Sequence, residues 1–252
     1  MKSEKIKKKS YLRILEAHSG LSAKLVENSD YDGIWVSSLC HSALKGLPDT
    51  ELISLSERVD LVREIRRVSD KLIFVDCDTG GGHIGYHAKW FADAGADALI
   101  IEDKAFPKQN SLLKNGKHNL EDVDKFCEKI KEASKSGIMI IARVESLIAK
   151  HSIYEALIRA DAYVKAGADG IMIHSKQQVD CSEVMEFAKE FRKKYKDIPL
   201  VAIPSTYRLP KKHPFEYVIY ANHLMRASIK GMQDYLAGKG EIISIEDIFK
   251  LI

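Results

Sequence analysis

Two carboxylates two residues apart, Asp76 and Asp78, leave an apolar run and enter the glycine-rich stretch Gly80-Gly81-Gly82. On an extended strand, side chains two apart share a face, so both can address one cation. Hard oxygen ligands with room left for water suit Mg²⁺, which gives up its waters reluctantly, and Mn²⁺ can substitute for it. The same residues also fit a turn with helix-capping aspartates, and the spacing alone does not choose between the two. The glycines are not a nucleotide phosphate loop: GxxxxGK[ST] is absent, and GxGxxG is not met in its usual context.

Glu102 opens the polar stretch Glu102-Asp103-Lys104-Ala105-Phe106-Pro107-Lys108-Gln109-Asn110-Ser111, which continues to His118. This is the longest connection after an apolar run and has few apolar anchors, so residues 104–118 read as a gating loop. Lys104, Lys108 and Asn110 can cover an anionic substrate there, although an ordinary solvated loop has the same composition. Arg143 and His174 close two later apolar runs. A guanidinium fork matches phosphate oxygens and an imidazole can donate to them. Arg143 fits a buried salt bridge to Glu145 or Glu102 equally well, and a lone histidine at a strand end is more often structural than catalytic. Cys40-His41 is not read as a nucleophile and base, because nothing orients the pair and adjacent side chains do not usually face each other. His83, His87, His118, His151, His213 and His223 show no ligand spacing.

These groups need a scaffold that brings distant strand ends together. Eight short apolar runs recur, at 14–18, 33–38, 72–76, 98–102, 138–144, 170–174, 200–203 and 217–221. Unbroken apolar runs mark strands buried on both faces, as in a parallel sheet. Helix-period segments separate them at 21–27, 52–68, 86–94, 120–134, 153–166, 182–194 and 223–236, with a short irregular link before the last strand. Asn119 and Ser182 suit helix starts. The sequence Ala-Gly-Ala-Asp occurs at 94–97 and again at 166–169, each time closing a helix with a glycine before a strand. The pattern predicts one (β/α)8 barrel over residues 1–252, with residues 1–10 as a basic N-terminal extension. Polar residues stand at the end of every run or just past it: Glu16 and His18, Ser37 and Ser38, Asp76 and Asp78, Glu102 and Asp103, Arg143 and Glu145, His174 and Ser175, Ser205, and Asn222. In such a barrel those positions converge on the face where catalytic residues sit.

Composition narrows the partners. A chain of 252 residues with 45% hydrophobic and 30% charged residues is an ordinary globular protein, and a net charge of +3 argues against nucleic-acid or membrane surfaces. The lysines at 2–9 read as a solvated terminus. Cys40, Cys77, Cys127 and Cys181 form no CxxC pair, as expected of reduced thiols in a cytosolic protein. No apolar run approaches the ~20 residues that span a bilayer, and no apolar stretch follows the N-terminal lysines. A cytoplasmic location is the expectation.

Asp-x-Asp-Thr-Gly from Asp76, "EDKAFPKQNS" from Glu102, "ARVES" from Ala142, "GIMIHSK" from Gly170 and "ANHLMRAS" from Ala221 form a set of motifs at successive strand ends. In these the chain resembles the phosphoenolpyruvate mutase family of the isocitrate lyase superfamily. "EAHSGLSAKLVE" and "GIWVSSLCHSA" near the start match as well, so the likeness runs from Tyr11 to the closing "ISIEDIFKLI". It implies a barrel whose last helix swaps onto a partner subunit, in homodimers that pair into homotetramers. The implied partner is a small phosphorylated or phosphonylated keto acid, and the implied reaction interconverts the enol phosphate phosphoenolpyruvate and the phosphonate phosphonopyruvate, for phosphonate biosynthesis. By this resemblance Asp76 touches Mg²⁺, while Asp49, Asp78 and Glu102 hold its waters. Ser37 and the amides of Ser38 and Leu39 grip the substrate carboxylate beneath Trp35. Arg143, His174 and Asn110 hold the phosphoryl group, and Lys108 belongs to the gating loop.

Two departures from the family pattern stand out. Ser38 occupies a place usually held by glycine, and Gly81-Gly82-His83 replaces an aromatic-containing "TGYGN". Phosphonopyruvate hydrolase is the competing activity; it tends to carry threonine where this chain has Asn110. A carbon–carbon lyase would need a cysteine in residues 104–118, which has none. A barrel that binds a metabolite without turnover is the remaining alternative, against which the charged strand ends argue.

Overall fold

A computed structural model describes residues 11–177 and 180–251. The basic extension at 1–10 lies outside the described residues. Eight strands form in chain order: β1 (Leu12–Glu16), β2 (Gly33–Val36), β3 (Leu72–Asp76), β4 (Ala98–Glu102), β5 (Met139–Val144), β6 (Gly170–Ile173), β7 (Leu200–Ala202) and β8 (Tyr217–Tyr220). Each pairs in parallel with the next, and β8 pairs with β1 to close the barrel. All eight apolar runs therefore become strands: β3 and β4 match their runs, β1 starts two residues earlier at Leu12, and the others are shorter by one or two residues.

The described helices are α1 (Gly20–Glu27), α2 (Ser38–Leu44), α3 (Leu55–Arg66), α4 (Ile84–Ala94), α5 (Val123–Ser134), α6 (Ile153–Lys165), α7 (Ser182–Lys194), α8 (His223–Leu236) and α9 (Ile245–Leu251). Two of these, α2 and α9, carry no clear period in the sequence; each is only seven residues long. As expected, β7 and β8 are joined without a helix.

Helix starts differ from the sequence expectation for local reasons. α3 begins at Leu55, not at 52, because Ser54 and Glu57 form a reciprocal capping box that fixes the first turn. α5 begins after Asp122, whose carboxylate accepts from the N–H groups of Asp124 and Lys125. Asn119 caps nothing there; its carbonyl accepts from Ala105 N–H at 2.9 Å and closes the base of the gating loop. Ser182 is the first helical residue of α7, one position after the cap. Both glycines of the Ala-Gly-Ala-Asp repeat adopt left-handed backbone, Gly95 at φ +102° and Gly167 at φ +107°.

Strand alternation sorts the core into two layers. Leu12, Ile14, Trp35, Phe74, Ile100, Ile141 and Met172 fill the barrel interior. Their strand neighbours Ile34, Ile73, Val75, Leu99, Ile101, Ile140, Ala142 and Ile171 pack outward with Phe91, Phe126, Tyr163 and Phe187 of the helices. With both faces buried, the strands show no polar alternation. No described helix is long and apolar enough to cross a membrane.

Candidate active site

The inward register that packs the barrel continues past its apolar layers into charged groups. In β3 the inward series runs Phe74 then Asp76, in β4 Ile100 then Glu102, in β5 Ile141 then Arg143; beyond β6, Met172 is followed by His174, and beyond β2, Trp35 by Ser37. Glu102 and Arg143 are direct cross-strand partners. The side chains surround a cavity of about 40 Å³ at the carboxyl ends of the strands, bordered by Trp35, Ser37, Leu39, Asp49, Asp76, Glu102, Lys108, Asn110, Arg143 and His174. Ser38 and Asp78 stand one contact behind it. The Ser38 hydroxyl donates to Asp76 Oδ2 at 2.9 Å, and Asp78 Oδ1 lies 2.5 Å from Lys108 Nζ. All twelve expected site residues are thus brought together.

One side of the site is acidic. Asp49 reaches in from the link between α2 and α3, and Asp78 sits in left-handed backbone at φ +49°, which turns the chain after β3. Burial raises the Asp76 carboxyl, and the charge of Asp78 raises it further. Burial works against ionised Asp78 too, but Arg58 at 2.9 Å and Lys108 overcome it and bring that carboxyl down to about 2. Glu102 is pushed up to about 7 by burial, against the pull of Lys108, Arg143 and Lys104. Its Oε1 has no hydrogen-bond partner among the described residues, and Lys108 Nζ lies 4.0 Å from it.

With one buried Glu102 oxygen lacking a hydrogen bond and the Asp76 carboxyl beside it held above its ordinary range, this side has room for further positive charge. The donors are all oxygen, which suits a hard cation. Among the described residues no three His, Cys, Asp or Glu side chains converge to ligate one ion directly. An ion held by one carboxylate, with the others reached through water, fits these positions.

The opposite side is basic and hydrogen-bonding. Arg143 pairs with Glu145 through Nε at 2.5 Å and with Glu102 through Nη2 at 3.4 Å, so the salt bridges weighed from the sequence both form. Its Nη2 also lies 2.8 Å from His174 Nδ1. Burial lowers the His174 imidazole to about 4, with Glu145 opposing and Arg143 assisting. The ring is therefore neutral near pH 7, and its buried Nε2 has no partner among the described residues.

The gating loop lies down over the cavity. Its base is pinned by the Ala105–Asn119 bond and by Glu121 N–H donating to Asp103 O at 2.9 Å. Lys108 Nζ enters the acidic side, 3.0 Å from Asp49 Oδ1. Asn110 Nδ2 donates to Asp49 Oδ2 at 2.7 Å. Lys104, read from the sequence as a cover for an anion, instead points inward, is almost fully buried, and lies 3.2 Å from Glu145 Oε2.

Arg58 and Glu51 do not stand out in the sequence. Arg58 holds Asp78 and donates to the Asp76 carbonyl from the first turn of α3. Glu51 accepts from Thr79 N–H at 3.0 Å and from its hydroxyl at 2.9 Å. Neither sits at a strand end, so the pattern that finds the others passes over them.

A closed parallel barrel with acidic and basic groups facing across a pocket at its strand ends is the layout of a barrel enzyme, and the family match and relatives make it one of the phosphoenolpyruvate mutase and isocitrate lyase superfamily. Residues 4–238 match the family described as phosphoenolpyruvate phosphomutase, and the chain belongs to that family. It is 35% identical over 236 residues to the phosphonopyruvate hydrolase of Variovorax sp. (strain Pal2), covering 88% of this chain and 80% of that one. It is also 35% identical over 241 residues to the phosphoenolpyruvate phosphomutase of Tetrahymena pyriformis, covering 91% and 79%. A solved structure of phosphonopyruvate hydrolase in complex with oxalate and Mg++ superposes with a TM-score of 0.87 at 30% identity, covering all of this chain and 94% of that one.

Proposed function

We propose that the chain interconverts phosphoenolpyruvate and phosphonopyruvate, with Mg²⁺ as cofactor. The observation that carries this reading is Asn110, set on the gating loop and bordering the cavity beside Asp49. Phosphoryl transfer passes through a loose, metaphosphate-like state, so catalysis is chiefly positioning and charge stabilisation. Asp76 would hold the ion, with Asp49, Asp78 and Glu102 on its waters. Bound there, Mg²⁺ would supply positive charge to the carboxylate and enolate oxygens of the substrate. Ser37 and the amides of Ser38 and Leu39 would hold the substrate carboxylate under Trp35. Arg143 would hold the phosphoryl oxygens as a fixed donor, joined by His174 Nε2–H in the neutral tautomer whose Nδ1 accepts from Arg143 Nη2 at 2.8 Å. Lys108 would draw the loop onto the acidic side, and Asn110 would cover the group against water, the competing acceptor.

Hydrolysis of phosphonopyruvate to pyruvate and phosphate is the second reading, favoured by the equal identity to the Variovorax enzyme. Asn110 in place of threonine favours the mutase. The absence of cysteine from residues 104–118 counts against a carbon–carbon lyase. The two readings separate in ³¹P NMR of the purified protein with Mg²⁺ and phosphonopyruvate, as phosphoenolpyruvate or as inorganic phosphate.

Assembly as a homodimer or homotetramer accompanies this reading. Met232, Tyr235 and Leu236 of α8 are exposed, as are Ile242, Ile243, Ile245 and Phe249 beyond it. An apolar surface of this kind marks a contact surface, and the family resemblance assigns it to a partner subunit.

A further inference from the structure

Glu145 is fully buried and outside the set of residues proposed above to touch substrate or ion. Its two oxygens do separate work. Oε1 accepts from Arg143 Nε at 2.5 Å and lies 2.8 Å from His174 Nδ1, the pair that faces the phosphoryl position. Oε2 accepts from the Ser111 hydroxyl at 2.6 Å and lies 3.2 Å from Lys104 Nζ, both on the gating loop. The residue is held from behind through its main chain. Glu145 N–H donates to Asp103 Oδ1 at 2.8 Å, and Asp103 Oδ2 is fixed by Tyr163 Oη at 2.7 Å and Arg159 Nη1 at 3.3 Å. Its main chain is therefore anchored, and only the partners of its two oxygens change when the loop moves.

On the reading of this site as a phosphoryl-transfer centre, we propose that Glu145 is a positioning residue that couples closure of the gating loop to the geometry of Arg143 and His174. With the loop down, Ser111 and Lys104 occupy Oε2, and Arg143 meets the carboxylate through Nε alone. Its Nη2 stays on Ser111 at 3.1 Å and on His174 at 2.8 Å. With the loop up, Lys104 stays on the pinned base and Ser111 leaves, so Oε2 loses its hydroxyl donor and Arg143 Nη2 loses the acceptor it holds at 3.1 Å. The two groups left by that one hydroxyl are each other's nearest replacement. Arginine meets carboxylate most favourably through two parallel N–H bonds, so the fork turns onto Glu145 and leaves His174. The cradle is thus assembled only under a closed loop, and phosphoryl transfer begins only where water is shut out.

The test uses the full-length protein labelled with ¹⁵N-histidine, without substrate, with the His174 ring signals identified by their loss in His174→Gln. Ser111→Ala removes the loop hydroxyl and touches neither His174 nor its backbone. The proposal expects the His174 ring signals to move in Ser111→Ala and trypsin to cut faster after Lys108, Lys114 or Lys117. Glu145→Gln should lower kcat by about 10²-fold with little change in KM, the scale of a misplaced group. If Glu145→Gln does not fold, Ser111→Ala alone decides. His174 signals unchanged in Ser111→Ala while the loop is cut faster would overturn the coupling. A wild type inert towards phosphonopyruvate would instead remove the phosphoryl-transfer reading, and the signals would still decide the coupling.

Discussion

At Asn110 the amide group has two N–H donors, and one of them is spent on Asp49 at 2.7 Å. The second remains for a phosphoryl oxygen, so the residue can hold the acidic side and the migrating group together. Asn110→Ala should cut turnover of phosphonopyruvate by roughly 10²-fold or more, the effect of losing one preorganised donor; steady-state kinetics on the purified variant checks it, and a loss below about threefold would remove the role. Glu102 gives a pH dependence. Its carboxyl, raised to about 7 by burial against the pull of Lys108, Arg143 and Lys104, keeps its proton in mild acid and must release it to hold an ion's waters. Divalent-ion affinity should therefore tighten as pH rises from 6 to 8, and calorimetric titration with Mn²⁺ at the two values should show it. Affinity that is flat over that span would contradict the participation of Glu102.

At the scale of elements, the closest agreement between sequence and structure lies at the strand ends. Asp76, Glu102, Arg143 and His174 each interrupt or follow an apolar run in the inward register, so their placement was legible from the run itself. Asp49 was placed only through the family resemblance, because it stands in a link between helices where no periodicity fixes a direction. Arg58 was not legible at all: it is one charged residue in a helix rich in them, and its inward reach to Asp78 depends on how α3 packs. The repeated helix ends were legible because left-handed backbone favours glycine. Gly95→Ala should destabilise the fold by about 1 kcal/mol or more, since alanine is strained at φ +102° and its Cβ would meet Arg66 Cγ at 2.7 Å. Chemical denaturation measures this, and an unchanged midpoint would refute it.

For the molecule as a whole, the barrel buries its apolar runs on both faces, whereas the C-terminal helices leave Leu236 and Phe249 open. A homodimer or homotetramer stable at micromolar concentration is expected, and light scattering giving a monomer mass would exclude it. The central claim is the direction in which the phosphoryl group leaves. The carbon–phosphorus bond of phosphonopyruvate is the less stable arrangement, so an isolated mutase runs toward phosphoenolpyruvate. ³¹P NMR of the wild-type protein with Mg²⁺ and phosphonopyruvate should show the phosphonate signal replaced by that of phosphoenolpyruvate, with little free phosphate. Inorganic phosphate as the main product, with pyruvate released alongside it, would contradict the mutase reading and make this chain a hydrolase.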